Sequence, residues 1–329
     1  MLKIERISRA MFLFAIGGIA MFFFAGCQKT NILEKNKTII RNAVEQIWNQ
    51  GNLDLADELF TIDYVYHGTP EIHGAEGIKQ HVATLRASFP DFHLSLEDMI
   101  AEGDKVVSRW TGGGKQMGEF IGVPPSGKQV TITGIIISRI VNDKIVEEWE
   151  TSDQLGLLQL LGVIPPMPDA PISALKRMQP EEFLWSEVSK VTGDPGDIEK
   201  NKAIIRREED EVWNQRNLNT LEALFSPSFI NHDPGSPDIS DFEGFKQFWT
   251  MVGEITQDYH LTIEDIIAEG DKVAVRWSSR FIEVTTKKPV NNKGIVIYRL
   301  ADGKIVESWF STDMLGFMRQ LGVLPSSAK

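Results

Sequence analysis

The sequence predicts an α+β protein built from two copies of one domain in tandem, each with helices leading and antiparallel strands following. Three observations carry this. Ile100–Val106 and Ile267–Val273 both read IAEGDKV, while Glu34–Lys37, Trp48–Gln50 and Lys144–Glu147 return as Glu199–Lys202, Trp213–Gln215 and Lys304–Glu307. In the front part of each copy apolar residues recur at steps of three and four, the helical period; in the rear part they recur at steps of two, the strand period. The offset between copies is 165 at Trp48/Trp213, 167 at Asp104/Asp271 and 160 at Trp149/Trp309, so length changes fall between elements and the framework is kept. A repeat this long is two globular units, since solenoid periods run to roughly 20–50 residues.

The elements follow in order. Ile40, Val44, Ile47 and Trp48 form the buried stripe of a first helix, matched by Ile205, Val212 and Trp213. Val44 is replaced by Glu209 in the second copy; a slight roll of the helix is expected to expose it, the alternative being a glutamate that lines a pocket. A short helix is expected near Leu53–Phe60 and Leu218–Phe225, and a third carries Ile78, Val82, Leu85 and Phe89, echoed by Phe245, Trp249 and Val252. Strands begin at Phe92, Leu94 and Leu96, with His93, Ser95 and Glu97 on the other face; Tyr259, Leu261 and Ile263 repeat the pattern. Glu102-Gly103-Asp104 and Glu269-Gly270-Asp271 turn the chain, and Val106, Ser108 and Trp110 return along one face, as do Val273, Val275 and Trp277. A long strand over Val130–Ile140, a tight turn at Asn142-Asp143 and a last strand over Ile145–Thr151 complete the copy.

The N-terminus reads as an export address. Lys3, Arg6 and Arg9 precede an apolar run from Met11 to Ala25 that is short for a bilayer span. It closes on Phe24-Ala25-Gly26-Cys27, which resembles the lipobox of bacterial lipoproteins and implies lipidation of Cys27; the alternative is a single-span anchor. The expected layout is a signal over 1–27, a first domain over 28–165, a proline-rich linker over 166–197 with a helix at Pro180–Val191, and a second domain over 198–329. Both readings place the domains outside the cytoplasm, and by resemblance Gln28 favours the outer membrane where the organism has one. Cys27 is the only cysteine, which excludes a disulfide framework. The net charge is −12, and removing Lys3, Glu5, Arg6 and Arg9, together +2, leaves −14. A chain this acidic with no basic stripe is not a nucleic-acid binder, and its bodies have no attraction to anionic lipid beyond the anchor.

The order of elements, the segment Gly118–Lys128 (GEFIGVPPSGK), and the endings Lys144–Trp149 (KIVEEW) with Asp153 and Leu160-Leu161-Gly162 resemble the SnoaL-like polyketide (ester) cyclase family of the NTF2-like superfamily, over nearly all of both repeats. The resemblance implies cone domains: a strongly curved antiparallel sheet wrapped round helices and enclosing an apolar pocket. It also implies cofactor-independent, metal-free aldol ring closure with an Asp as general acid/base, carried here onto Asp153 and Asp313. Family members often dimerise through the outer face of the sheet, which implies an intramolecular pseudo-dimer of the two copies.

Two roles compete at Asp153 and Asp313. Glu147, Trp149, Thr151 and Asp153 share one face of an extended strand, and a desolvated carboxyl there could exchange protons with a carbonyl compound. Equally, both aspartates stand just before apolar helical segments, where Asp caps a free backbone N–H. His67 and His232 end strand-like segments at equivalent places and are candidates for a proton shuttle at a pocket mouth, or for loop histidines bonded to a carbonyl. Trp110, Trp277, Trp149 and Trp309 read as core and secondarily as a ligand-facing wall, with Tyr66 and Phe120 beside them. Arg109 and Arg276 alternate out of phase with Trp110 and Trp277 and fall on a solvated or intersubunit face. No histidine pair has metal-ligand spacing with a third ligand. The second copy lacks the Gly118–Lys128 segment and has Phe281–Pro289 instead, which favours the first copy for any chemistry. Two functions stay open: binding of a small hydrophobic carbonyl-containing molecule, or catalysis as an ester cyclase, with a protein-interaction module as a further alternative.

Overall fold

The computed structural model describes residues 31–165, 197–234 and 238–325. The expected signal over 1–27, its Cys27 and the linker up to residue 196, with the helix expected at Pro180–Val191, lie outside the described residues. In the first domain a helix over 31–42 runs into a π-helical turn at Ala43–Asn49; in the second, Ile198–Arg207 runs into Glu208–Asn214. Asp197 starts the latter helix by accepting from the amides of Glu199 (3.1 Å) and Lys200 (3.3 Å). The wider π turn carries adjacent residues inward, so Ala43 and, in the second copy, both Glu208 and Glu209 are buried. The roll expected to expose Glu209 does not occur: it is 3% exposed.

The strands are β1 (Phe60–His67), β2 (Ile72–His73), β3 (His93–Glu102), β4 (Lys105–Lys115), β5 (Gln129–Val141) and β6 (Lys144–Ser152) in the first domain. In the second they are β7 (Phe225–His232), β8 (Thr256–Glu269), β9 (Lys272–Glu283), β10 (Pro289–Ala301) and β11 (Lys304–Thr312). The sheets run β2-β1-β6-β5-β4-β3 and β7-β11-β10-β9-β8. The meander β3 to β6 is antiparallel, as alternation and turns imply, but β1 joins β6, and β7 joins β11, in parallel. That pairing differs from the all-antiparallel expectation because the helix Gly74–Ser88, or Phe242–Ile255 in the second copy, carries the chain away from β1 or β7 before the meander begins.

An irregularity in the last strand of each domain decides which of its side chains turn inward. Ile140 pairs with Ile145 while Arg139 pairs with Glu147, so Val146 is an extra residue; Leu300/Ile305 and Arg299/Glu307 leave Val306 extra in the same way. A bulge of one residue reverses the alternation beyond it. Ile145 and Ile305 therefore belong to the helix-side cores, while Glu147, Trp149 and Thr151, with Glu307, Trp309 and Ser311, turn to the outer face.

The outer faces of the two sheets meet. Ile100, Val107, Ile135 and Ile137 of the first pack with Ile267, Ala274, Ile295, Ile297 and Trp309 of the second. Around this layer the contacts come in equivalent pairs: Lys37 with Glu269 (2.7 Å) and Lys202 with Glu102 (2.6 Å), Lys105 with Asp265 and Lys272 with Asp98 (2.6 Å). Thr151 Oγ1 donates to the Ser311 carbonyl (3.2 Å) and Ser311 Oγ to the Thr151 carbonyl (2.9 Å). The Arg276 guanidinium lies 4.8 Å from the centre of Trp149, and Arg109 lies 5.0 Å from Trp309. Each of these contacts is thus matched by one between the equivalent residues of the other sheet.

Candidate functional site

The interior of each domain is bounded by the concave sheet face and the helices. In the second, a cavity of about 110 Å³ opens between β8–β10, the helix Phe242–Ile255 and the π turn. Its wall is mostly apolar and aromatic, with Trp213, Phe248, Tyr259, Trp277, Phe281, Phe310 and Phe317 contributing rings. A smaller space of about 30 Å³ adjoins it and shares Trp213, Phe248, Tyr298 and Phe310. Gly294 admits the Trp277 ring flat against β10, since a Cβ there would stand 2.6 Å from the Ser311 carbonyl oxygen and closer still to the indole.

Among the described residues, three polar atoms on this wall are buried without a partner: Glu209 Oε2, Trp277 Nε1 and Thr312 Oγ1. Buried polar groups are ordinarily paired, so three on one cavity mark a place for a ligand carrying hydrogen-bonding atoms. Glu208 beside them is satisfied, accepting from Trp213 Nε1 (2.7 Å) and Tyr298 Oη (3.2 Å). Burial pushes the Glu208 carboxyl up to about 8 against the lowering effect of these donors. Burial, with the neighbouring Glu208 carboxyl, pushes Glu209 well above the usual carboxylate range.

The first domain keeps its interior carboxyls on β6. Glu148 accepts from Tyr64 Oη (2.6 Å) and Ser138 Oγ (2.5 Å), and Glu150 is bonded to Tyr66 and to Ser152 Oγ (3.2 Å). Glu150 is half-buried, and loss of hydration pushes its carboxyl up to about 7, against the bonds from Tyr66 and Ser152. Tyr66, proposed from the sequence, is thus an interior residue. Phe120 closes the end of this domain instead, edge-on to Phe89 at 5.0 Å and packed on Phe92, Val130, Leu157 and Leu161. The second domain has Thr256 where the first has Phe89, and no counterpart of the Phe120 segment, and its cavity reaches Thr256. The expectation that the first copy is favoured for chemistry rested on that segment, which here supplies packing.

The other candidates fall elsewhere. Asp153 Oδ1 accepts from the Gly156 amide and Asp313 Oδ1 from the Gly316 amide, both at 2.8 Å, so each caps the helix that follows. A Cβ at Gly156 or Gly316 would strike the capping carboxylate, which explains the glycine at this position of both helices. Thr312 and Met314 line the cavity but Asp313 between them does not, so the strand face assigned to these aspartates is corrected to the outer one. Trp149 and Trp309 are likewise corrected: they lie in the layer between the sheets. His67 and His232 are held on that face, not at the mouth of the cavity. Their Nε2 atoms meet Glu147 (2.9 Å) and Glu307 (3.0 Å), and each ring stacks on the neighbouring Trp149 or Trp309 at 5.5 Å. The bulge at Val146 and Val306 turns the two tryptophans outward, while the histidines follow the alternation of β1 and β7, in which Tyr64 and Phe229 face inward. Trp110 and Trp277, before it in the chain, do face inward. Sequence reasoning missed Glu148, Glu150 and Glu208, and set Glu209 outside. The available signal was the departure between copies, Ala43/Val44 against Glu208/Glu209 and Glu148/Glu150 against Ser308/Phe310.

Two tandem cones with apolar interiors and buried carboxyls define an NTF2-like protein of the small-molecule-binding or cyclase type. The SnoaL-like polyketide cyclase family matches residues 38–161 and 203–321, and the chain belongs to it. Its relatives include the aklanonic acid methyl ester cyclase DnrD of Streptomyces peucetius, 28% identical over 40% of this chain and 93% of that protein. Another is the nogalonic acid methyl ester cyclase of Streptomyces nogalater, 32% identical over 37% of this chain and 92% of that protein. Among solved structures, TsrD from Streptomyces laurentii is 27% identical over 40% of this chain and 97% of its own, with a TM-score of 0.38.

Proposed function

We propose that the chain binds a small, mainly apolar, carbonyl-containing molecule inside its SnoaL-like domains, the two domains serving as each other's dimer partner. The observation that carries this is the second-domain cavity, aromatic on most sides and holding three polar atoms without partners among the described residues. Size narrows the guest. An apolar cavity of about 150 Å³ takes one benzene ring, so a space of about 110 Å³ suits a single ring or short chain, or one end of a longer molecule. The two-fold repetition of charged pairs at the sheet contact supports the pseudo-dimer.

A second reading, cyclase-type chemistry, is favoured by Glu150. A carboxyl held at about 7 beside a tyrosine hydroxyl is matched to taking a proton next to a ketone and returning it at neutral pH. One experiment addresses both readings: acetophenone with the full chain in deuterated buffer, followed by proton NMR. Broadening of the ring signals is expected on binding. Loss of the methyl signal by exchange, abolished in Glu150→Gln, supports catalysis; broadening without exchange leaves binding alone, and no broadening contradicts the proposal.

The proposal extends to location: a lipid on Cys27 anchors the domains outside the cytoplasm, supported by the basic residues and apolar run before it. Wild-type chain is expected in the membrane fraction and Cys27→Ser in the soluble one. Wild-type chain without lipid in the soluble fraction contradicts it.

A further inference from the structure

The duplicated domains carry their buried carboxyls on different elements. Where β6 of the first has Glu148 and Glu150, β11 of the second has Ser308 and Phe310; where the first helix has Ala43 and Val44, the second has Glu208 and Glu209. The second interior has therefore moved its acids from the sheet to the opposite, helical wall. Of the two, Glu208 is occupied by Trp213 and Tyr298. Glu209 is 3% exposed, its Oε2 has no hydrogen-bond partner among the described residues, and it lines the same cavity as Trp277, itself 4% exposed with Nε1 likewise unpaired among them.

We propose that Glu209, as a neutral carboxylic acid, selects the ligand of the second-domain cavity by donating its O–H to the carbonyl oxygen of an uncharged, single-ring-sized molecule, with Trp277 Nε1–H as the second donor. This rests on the cavity being a small-molecule site. An indole N–H can only donate, so the ligand atom that satisfies it is an acceptor. A protonated carboxyl completes the pair, whereas an ionised one would repel the same oxygen. Burial, with the Glu208 carboxyl beside it, keeps Glu209 protonated. Glu208 adjoins it on the π turn, Tyr298 of β10 and Tyr259 of β8 are acids harder to ionise, and Asp233 beyond β7 also borders the cavity. The Arg216 cation is turned to the rings of Trp213, Trp249 and Tyr259 and donates to Thr256 Oγ1 at 2.9 Å. Carboxylate ligands such as benzoate are excluded, since they would bring a charge into an apolar space beside two buried acids.

The test is titration of the full chain with acetophenone and with ethylbenzene, similar in size but lacking the acceptor, read by tryptophan fluorescence from about pH 6 to about pH 10. Wild-type chain is expected to prefer acetophenone by roughly tenfold at the acid end, the worth of a buried hydrogen bond, and to lose that preference as Glu209 ionises. Glu209→Leu is expected to lose the preference at every pH, and Glu209→Gln, which keeps an N–H donor, to retain it without pH dependence. If both probes bind wild type and both variants alike, the cavity reading survives and the role of Glu209 is overturned. If wild type binds neither probe, the cavity reading falls and this inference with it.

Discussion

Replacing Glu208 and Glu209 together with glutamine is expected to flatten the fall in stability of this protein between about pH 5 and about pH 8. Both carboxyls are almost fully buried in the second domain, and burial raises both above the usual carboxylate value. Folding thus increases their affinity for protons. Their contribution is complete below the unfolded value near 4.5 and is lost as pH climbs towards the folded value, about 8 for Glu208. At pH 7 holding Glu208 protonated costs roughly 3 kcal/mol relative to an unfolded chain that is already ionised. At about 2–4 °C per kcal/mol for chains of this order, the wild type is expected to lose about 6–12 °C in melting temperature over that range. Glutamine keeps the acceptor that Trp213 and Tyr298 use but cannot ionise. The measurement is melting temperature against pH for both proteins, read as slope, because an unpaired amide shifts the variant by a constant amount. His232, raised by Asp238 and Glu307 despite its burial, and His81, lowered by burial, contribute opposing slopes near pH 6.5 and cancel in the comparison. Parallel slopes would mean that the two glutamates are hydrated in solution.

The second large effect is expected at the contact between the sheets. Ile137 and Ile297 are equivalent residues, neither exposed, facing each other's sheet in an apolar layer. Aspartate at both places puts two unpaired charges in that layer, at a cost above about 3 kcal/mol each. Each domain has its own helix-side core, Ile205, Val212 and Phe229 in the second and Ile40, Ile47 and Tyr64 in the first, and neither core depends on the layer. The expected result is separation of intact domains: a larger hydrodynamic radius and thermal unfolding in two steps. Lys105→Glu with Lys272→Glu reverses two rim pairs without touching the apolar layer and is expected to weaken the contact less, because partly exposed pairs contribute less. An unchanged radius for the aspartate variant, with a single transition, would show that the contact is not formed by the chain in solution.

Much of the architecture can be read along the chain. The IAEGDKV hairpins at Ile100 and Ile267, the stripe Ile78, Val82 and Leu85, and the alternation Val273, Val275 and Trp277 each stand where periodicity and turn residues put them. These are local signals, set by residues a few positions apart, and they survive packing because each element buries the face its own pattern offers. The family was equally accessible from GEFIGVPPSGK and the KIVEEW ending.

The candidate site was less accessible. Val146 and Val306 look like ordinary strand residues, yet each is the extra one that sends Trp149, Trp309 and the helix-capping aspartates to the outer face and Glu150 and Phe310 inward. Whether a residue is extra is a property of the pair of strands, fixed by the hydrogen bonds to β5 and β10, and no single-strand pattern contains it. Glu209 is the same case on a helix. Its stripe position was visible, but its burial depends on a π turn and on the rings of Tyr259 and Trp277 arriving from distant strands. The amino-acid order thus specified the duplicated framework, because that rests on short-range periodicity; assembly assigned the inside and outside of each strand and the cavity with its acids, because those depend on register between segments far apart in the chain.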